Sequence, residues 1–193
     1  LALFPGSRSQ EVRRHLAPFV EAGRQLQAER PGLQIVIARR EGLELEVADT
    51  VGIQVTSDSR ALLRHARAAL VKSGTTTLEA ALEGVPFAVA YRAHPLTFWL
   101  ARRLVRVDHI ALANLVVGER VVPELLQDRV VPGILAETLL PLLDESAARG
   151  RVLAGLEKVR SRLGAPGASD RVANLAADVL SSRREERRPA AAP

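Results

Sequence analysis

Along the first ninety residues, short apolar runs alternate with stretches of helical period. Leu1–Phe4 is an apolar run closed by Pro5-Gly6. Ser7-x-x-Gln10 then has the capping-box pattern that opens a helix. Pro18 predicts a kink or restart, after which Phe19, Ala22 and Leu26 continue one apolar face up to Arg30-Pro31-Gly32. Gln34–Ala38 is β-branched and nearly all apolar, as in a strand covered on both faces. Leu43–Asp49 predicts a short helix and Gly52–Thr56 a weak third strand. Asp58 is the expected N-cap of a helix over Ser59–Arg67, with Leu62, Leu63 and Ala66 as its apolar stripe. Ala68–Lys72 reads as a fourth strand and Phe87–Tyr91 as a fifth.

Repeated β-α units with short loops predict an α/β fold, a doubly wound parallel sheet of Rossmann-like kind with right-handed crossovers. Ligands of such sheets sit beyond the carboxyl ends of the strands. The corners after the first strand (Gly6, Ser7, Arg8) and after the fourth (Ser73, Gly74, Thr75) both fall on that edge. The second corner opens Ser73-Gly74-Thr75-Thr76-Thr77-Leu78-Glu79, a small-residue turn running into a helix. Free N–H groups at such a helix start suit an anion, and Glu79, one turn further in, suits sugar hydroxyls. Thr76-x-x-Glu79 equally fits a capping box, with Glu79 folded back on the backbone. Both readings stand open on this stretch.

Beyond Arg92 the pattern changes. His94–Val107 predicts a helix with Pro95 in its first turn, carrying Phe98 and Trp99 together with Arg102, Arg103 and Arg106. A basic aromatic face for a membrane surface and an ordinary packed helix with solvated arginines are both consistent with it. Asn114, an amide among apolar residues, fits a turn or a core hydrogen-bond anchor. Pro123–Gln127 predicts a short helix. Pro132–Leu143, Ser146–Leu163 and Ser169–Leu180 predict three closing helices. The expected organisation is one domain over 1–180 and a charged, Ala/Pro-rich disordered tail over 181–193.

Composition narrows the function classes. The chain has 193 residues and no cysteine, which excludes disulfides and thiolate metal sites. The four histidines show no metal-ligand spacing, and no apolar run is long enough to span a bilayer. The net charge is +5, and Lys72 and Lys158 are the only lysines. Arginine-rich positive charge suits phosphate. Nucleic acid is not an expected partner, since the charge is spread and no aromatic-plus-basic motif accompanies it. The absence of methionine and a start inside a strand pattern suggest the second half of a longer protein.

Four segments carry a family resemblance. They are Leu-Ala-Leu-Phe-Pro-Gly-Ser-Arg at 1–8, Ser-Gly-Thr-Thr-Thr-Leu-Glu-Ala at 73–80, Val-Ala-Tyr-Arg-Ala-His-Pro-Leu-Thr-Phe-Trp-Leu-Ala-Arg-Arg-Leu-Val at 89–105, and Asn-Leu-Val-Val-Gly-Glu-Arg-Val-Val-Pro-Glu-Leu-Leu-Gln at 114–127. In order and spacing the chain resembles the C-terminal, donor-binding half of the lipid-A-disaccharide synthases, glycosyltransferases of the two-Rossmann-domain (GT-B) class. The Ser-Gly-Thr…Glu stretch is shared by many donor domains of that class; the third and fourth segments narrow it to this family. The resemblance implies a metal-free, cofactor-free, inverting transfer in lipid A biosynthesis. UDP-2,3-diacylglucosamine would condense with 2,3-diacylglucosamine 1-phosphate to a β(1→6) tetraacyl disaccharide 1-phosphate and UDP. It implies a cytoplasmic enzyme, peripheral at the inner membrane of a Gram-negative-type bacterium, and a homodimer formed through the last helices.

Carried over by position, Gly6, Ser7 and Arg8 correspond to a diphosphate site, and Ser73, Gly74 and Thr75 to helix-start contacts with the same group. Glu79 corresponds to a ribose-binding carboxylate. Asn114 and Gln127 correspond to positions near the donor, Tyr91 and Arg92 to the cleft wall. Phe98, Trp99, Arg102 and Arg103 correspond to a membrane or acyl contact. The chain shows no convincing general base, which the resemblance places on the N-terminal half; the isolated chain is expected to bind UDP and to catalyse little. The rival readings are another GT-B enzyme, such as a UDP-N-acetylglucosamine 2-epimerase or the lipid II-forming N-acetylglucosaminyltransferase, and a non-catalytic nucleotide- or membrane-binding module.

Overall fold

The computed structural model describes residues 1–45, 50–94, 98, 103, 108–165 and 167–186, without the side chains of 181–186. Contacts divide the chain into Leu1–Arg162 and Leu163–Pro193. The first unit holds a six-stranded sheet of β1 (Ala2–Phe4), β2 (Val36–Ala38), β3 (Gln54–Thr56), β4 (Ala69–Lys72), β5 (Phe87–Tyr91) and β6 (Glu124–Leu126). Every pairing is parallel and the order is β3-β2-β1-β4-β5-β6. This is the doubly wound arrangement expected from the β-α repeat, and its strand order reverses between β1 and β4. The central strands are buried on both faces, which explains their unbroken apolar runs: Leu3, Leu70, Phe87, Ala88 and Val89 have no exposed surface.

Helix α1 (Ser9–Glu29) runs through Pro18 without a break, contrary to the expected kink or restart. Its buried face, with Val12, Leu16, Phe19 and Leu26, packs against α5 (Pro132–Leu143), which contributes Leu135, Leu139 and Leu142. That apolar contact holds both sides of the proline in line. Helix α2 (Ser59–His65) is capped as expected, the Asp58 carboxylate accepting from Ala61 N–H at 2.9 Å. Helix α3 (Thr76–Leu82) follows β4, and α4 (Leu112–Val117) precedes β6. Helix α6 (Ala147–Leu163) closes the unit. The second unit contains α7 (Ala168–Glu186), whose Val172, Leu175 and Val179 form an exposed stripe at helical spacing.

Four further expectations differ from the structure. Glu124–Leu126 is a strand, although Pro123–Gln127 reads as a helix: its register against Val89, Ala90 and Tyr91 of β5 outweighs the helical propensity of glutamate and leucine. Residues 43–45 are not helical, and the rest of the helix expected over Leu43–Asp49 lies outside the described residues. Helix α7 continues to Glu186, so residues 181–186 of the expected disordered tail are helical. The contact boundary after Arg162 also falls within the expected 1–180 domain.

Gly155 brings α6 against the segment before β6. A Cβ there would stand 2.6 Å from Val121 Cβ and 3.3 Å from its Cα. Alanine in a helix interior ordinarily stabilises by about 1 kcal/mol over glycine. Here the sign should reverse, and thermal melting of Gly155→Ala should show a lower midpoint than the parent chain.

Candidate functional site

The turn that follows β1 needs a glycine. Gly6 has φ +129°, and a Cβ at this position would lie 2.6 Å from Glu11 Cβ and 2.8 Å from Glu11 Oε2. Glycine therefore supplies the backbone conformation and lets the glutamate lie against the turn. Glu11 Oε2 accepts from Ser7 N–H at 3.0 Å. Its Oε1 accepts from Arg8 at 3.0 Å and from Lys72 Nζ at 2.9 Å. One carboxylate thus joins the β1 turn, the first turn of α1 and the end of β4. The expected Ser7…Gln10 capping box is not formed: Arg8 is the N-cap, no side chain caps the helix, and Glu11 reaches back instead.

These groups border a cleft of about 370 Å³ at the carboxyl ends of the strands. Gly6, Ser7 and Glu11 line it from the β1 side; Lys72, Ser73, Gly74, Thr75, Thr76 and Glu79 line it from the β4 side. Arg40, Glu41, Ser57 and Ser59 close it beyond β2 and β3. Arg8 does not line it; its exposed side chain is tied to Glu11. A larger hollow of about 680 Å³, between α5, α6 and the segment leading into β6, contains none of the residues singled out from the sequence. The smaller cleft lies at the reversal of strand order, where doubly wound folds place ligands.

At the β4 corner the two readings of Glu79 separate. Glu79 is exposed, and no hydrogen bond or ion pair engages its carboxylate among the described residues. The Thr76…Glu79 capping box is therefore absent. The N–H groups of Gly74, Thr75 and Thr76 likewise have no acceptor among the described residues. Thr77 Oγ1 donates to Gly74 O at 2.7 Å and is spent on the turn itself. Ser73 is also partly committed, its hydroxyl donating to Ile110 O at 2.9 Å and its N–H to Ala90 O at 3.1 Å. The three free donors and the Glu79 carboxylate share one cleft and can hold an anion and a hydroxyl-bearing group together.

A buried histidine supports the site. His15, 1% exposed, has Nδ1 at 2.7 Å from Glu11 O, while Nε2 lies 2.9 Å from Arg92 N. Since the Arg92 amide can only donate, Nε2 is the acceptor and Nδ1 carries the proton. The ring meets Phe19 edge-on and lies 6.5 Å from the Tyr91 ring. Tyr91 is also 5.7 Å from Lys72 Nζ. Tyr91 and Arg92 are thus joined to the β1 corner through His15, and the Arg92 contact is made by its backbone.

Tyr91 and Arg92 do not line the cleft, and Asn114 and Gln127 are not brought to it either. Asn114 is fully buried: Nδ2 donates to Val122 O and Glu124 Oε1 at 3.0 and 2.8 Å, while Oδ1 accepts from Val121 and Val122 N–H at 3.0 and 2.9 Å. Every hydrogen-bonding position of the amide is used, which matches the core-anchor reading of this residue. Glu124, also buried, accepts from Ala111 N–H at 2.8 Å and Ile110 N–H at 3.1 Å, so a carboxylate from β6 fixes the segment that enters α4. Gln127, at φ +48°, exchanges hydrogen bonds with Ala93 N and O at 2.7 and 3.2 Å. Phe98 is half-buried, its N–H donating to His94 O at 3.0 Å, and Arg103 is exposed. Trp99 and Arg102 lie outside the described residues.

Glu11, His15, Lys72 and Glu124 were missed as functional or organising residues. Glu11 had a local signal: a carboxylate three positions after Arg8 behind a glycine turn, one position beyond the expected capping residue. Lys72 was marked only by rarity, as one of two lysines, standing at a strand's carboxyl end. His15 and Glu124 act across 77 and up to 14 positions of chain respectively, and had no local signature.

The fold places the chain in the class of doubly wound, Rossmann-like α/β domains. Two solved structures share the fold: CalG4, the calicheamicin glycosyltransferase, with TM-score 0.55 and 22% identity over 90% of this chain and 40% of that one, and the glycotransferase of kitacinnamycin, with TM-score 0.54 and 22% identity over 90% and 42%. Residues 1–171 match the model of the lipid-A-disaccharide synthetase family, and the chain belongs to that family. The lipid-A-disaccharide synthases of Acidobacterium capsulatum and Nitrobacter winogradskyi are 38% and 40% identical to it over 95% and 97% of its length. The Rhodopseudomonas palustris enzyme is 41% identical over 93%. The chain spans about half the length of these curated relatives (50%, 49% and 48%). Membership of this family agrees with the resemblance read from the four segments and sets the rival GT-B families aside.

The buried histidine has a pH consequence. Burial lowers the pKa of His15 below its ordinary 6.5, opposed by the hydrogen bond to Glu11 O and assisted by the charge of Lys72. With the folded pKa below the unfolded one, the unfolded chain binds the extra proton first as pH falls. The stability associated with neutral His15 is complete above about pH 6.5 and declines below it, by at most about 1.4 kcal/mol per pH unit for one proton. Thermal melts between pH 7.5 and 5 should show this decline, and His15→Gln should flatten it. Glu11 acts in a lower window. Burial raises its pKa, but hydrogen bonds from Lys72, Ser7 N–H and Arg8 outweigh burial and hold it below 4.5.

Proposed function

We propose that this chain is the donor-binding half of a lipid-A-disaccharide synthase. Its cleft takes the UDP of UDP-2,3-diacylglucosamine. The acceptor is 2,3-diacylglucosamine 1-phosphate, and the products are the β(1→6) tetraacyl disaccharide 1-phosphate and UDP. The observation that carries this reading is the cleft at the β1/β4 reversal, where Glu79 and the Gly74, Thr75 and Thr76 N–H groups are left without partners. Family membership names the ligand class that such a cleft would hold.

In this reading Gly6, Ser7 and Arg8 meet the diphosphate from the β1 corner. Ser73, Gly74 and Thr75 meet it from the β4 corner through backbone N–H groups, and Glu79 accepts hydrogen bonds from the ribose hydroxyls. Fixed donors at the diphosphate stabilise the charge that develops as UDP leaves. The acceptor 6-hydroxyl attacks the anomeric carbon, the bond to the diphosphate oxygen breaks, and configuration inverts. A general base takes the hydroxyl proton; it and the acceptor site belong to the N-terminal half of the enzyme. Tyr91 and Arg92 border the donor region through the His15 contact, while Asn114 and Gln127 act by fixing the segments around them. Phe98 and Arg103, with Trp99 and Arg102, belong to a region that meets acyl chains or the cytoplasmic face of the inner membrane. No described helix is long and apolar enough to cross a membrane, and peripheral association is the form proposed. A homodimer is proposed for the complete enzyme.

Two results test this reading. Arg8→Ala and Glu79→Ala should each weaken UDP binding in a calorimetric titration while leaving the melting temperature close to that of the parent. Loss of a helix cap would instead lower stability by about 1 kcal/mol with binding unchanged, and that outcome would count against the donor site. The 193-residue chain should bind UDP yet release none from the diacylated donor and acceptor. Sustained turnover by this chain alone would show that the base is present on it.

A further inference from the structure

We infer that Lys72 is a further cation of the donor site, held at rest by Glu11 and turned to the diphosphate when nucleotide binds. This rests on the donor-site reading and adds to it a residue outside the motifs that carry the family resemblance.

Lysine is seldom buried without a partner. The side chain of Lys72 is only 14% exposed, and its partner Glu11 is 17% exposed. Both line the cleft, so the pair is sheltered yet opens onto the place where a ligand would sit. Glu11 is shared: Arg8 and Lys72 both bind its Oε1. An ammonium has three donors, and Glu11 takes one of them. The Tyr91 ring lies 5.7 Å from Nζ and gives the ammonium a further support from β5.

The neighbouring turn keeps the approach open. A Cβ on Gly74 would lie 3.9 Å from Lys72 Nζ, so a longer side chain at 74 would begin to fill the space between the ammonium and the turn. Glycine leaves that space to a ligand. An oxygen of the diphosphate placed there can take the hydrogen bonds of Nζ, while Glu11 keeps Ser7 N–H and Arg8. Glu11 is then a positioning residue and Lys72 a ligand contact. In a chain whose positive charge is otherwise almost all arginine, a compact ammonium suits this confined place.

The test is calorimetric titration of the full chain with UDP and, separately, uridine, which lacks the phosphates. The parent should bind UDP more tightly than uridine. Lys72→Met should lower UDP affinity about tenfold, the order of one charge-assisted hydrogen bond, and leave uridine affinity unchanged; Lys72→Arg should restore most of the UDP affinity. Melting curves establish that each variant is folded, and Lys72→Gln replaces Lys72→Met if the latter is not. Unchanged UDP affinity in the folded variant would overturn the role of Lys72 and leave the donor site standing. Equal losses for UDP and uridine would mark a structural residue and also overturn it. Failure of the parent to bind UDP would remove the donor-site reading and this inference with it.

Discussion

The Glu11 carboxylate is the constraint on which the cleft depends. It receives Ser7 N–H, the Arg8 guanidinium and the Lys72 ammonium, and so ties the β1 turn and α1 to the end of β4. β1 and β4 are neighbours in the sheet, with Phe4 in register with Val71. The ion cluster therefore stands at the point where the strand order reverses and the helices after β1 and β4 diverge. Gly6 makes the arrangement possible, because any side chain at that position would occupy the space of Glu11. A partly sheltered carboxylate with three donors is worth more than an exposed ion pair, whose contribution is usually below about 1 kcal/mol.

A second polar network does for the β6 side what Glu11 does for the β1 side. Glu124 and Asn114 together engage the main chain at Ile110, Ala111, Val121 and Val122. No buried side-chain polar atom among the described residues lacks a partner. Such networks cost stability heavily when half-satisfied and specify one arrangement when complete. The contrast with Glu79 is informative. The buried Glu124 is used up in holding the fold, while Glu79, which faces the cleft, is left free. Chemistry available to a ligand is what remains after the fold has satisfied itself.

The central strands and their helices were legible in the sequence for direct reasons. β1, β4 and β5 are covered on both faces and read as unbroken apolar runs, and Asp58 caps α2 through an atom three residues from its partner. Gly6, Ser73 and Gly74 were legible because turns at strand ends require small residues. Less was visible where partners are far apart. Pro18 suggested a break that the α1–α5 packing suppresses. Glu124–Leu126 suggested a helix, but the hydrogen-bonding edge of β5 away from β4 offered a strand partner. Asn114 belonged to a segment resembling a donor site, yet its amide is consumed by two backbone stretches and Glu124.

The linear order of residues by itself determined the α/β class, the parallel sheet, the two corners at its carboxyl edge and the family to which the chain belongs. These follow from short-range physics: hydrophobic period, turn chemistry and helix starts act within a few residues. Tertiary structure alone decided which polar groups are spent and which are free. It turned the Ser7–Gln10 capping pattern into a Glu11 reach-back, released Glu79 from a capping role and set Lys72 beside Glu11 across 61 positions of chain. The reason is that a hydrogen bond or ion pair depends on distance in space, and the sheet brings together ends of strands that the sequence keeps far apart.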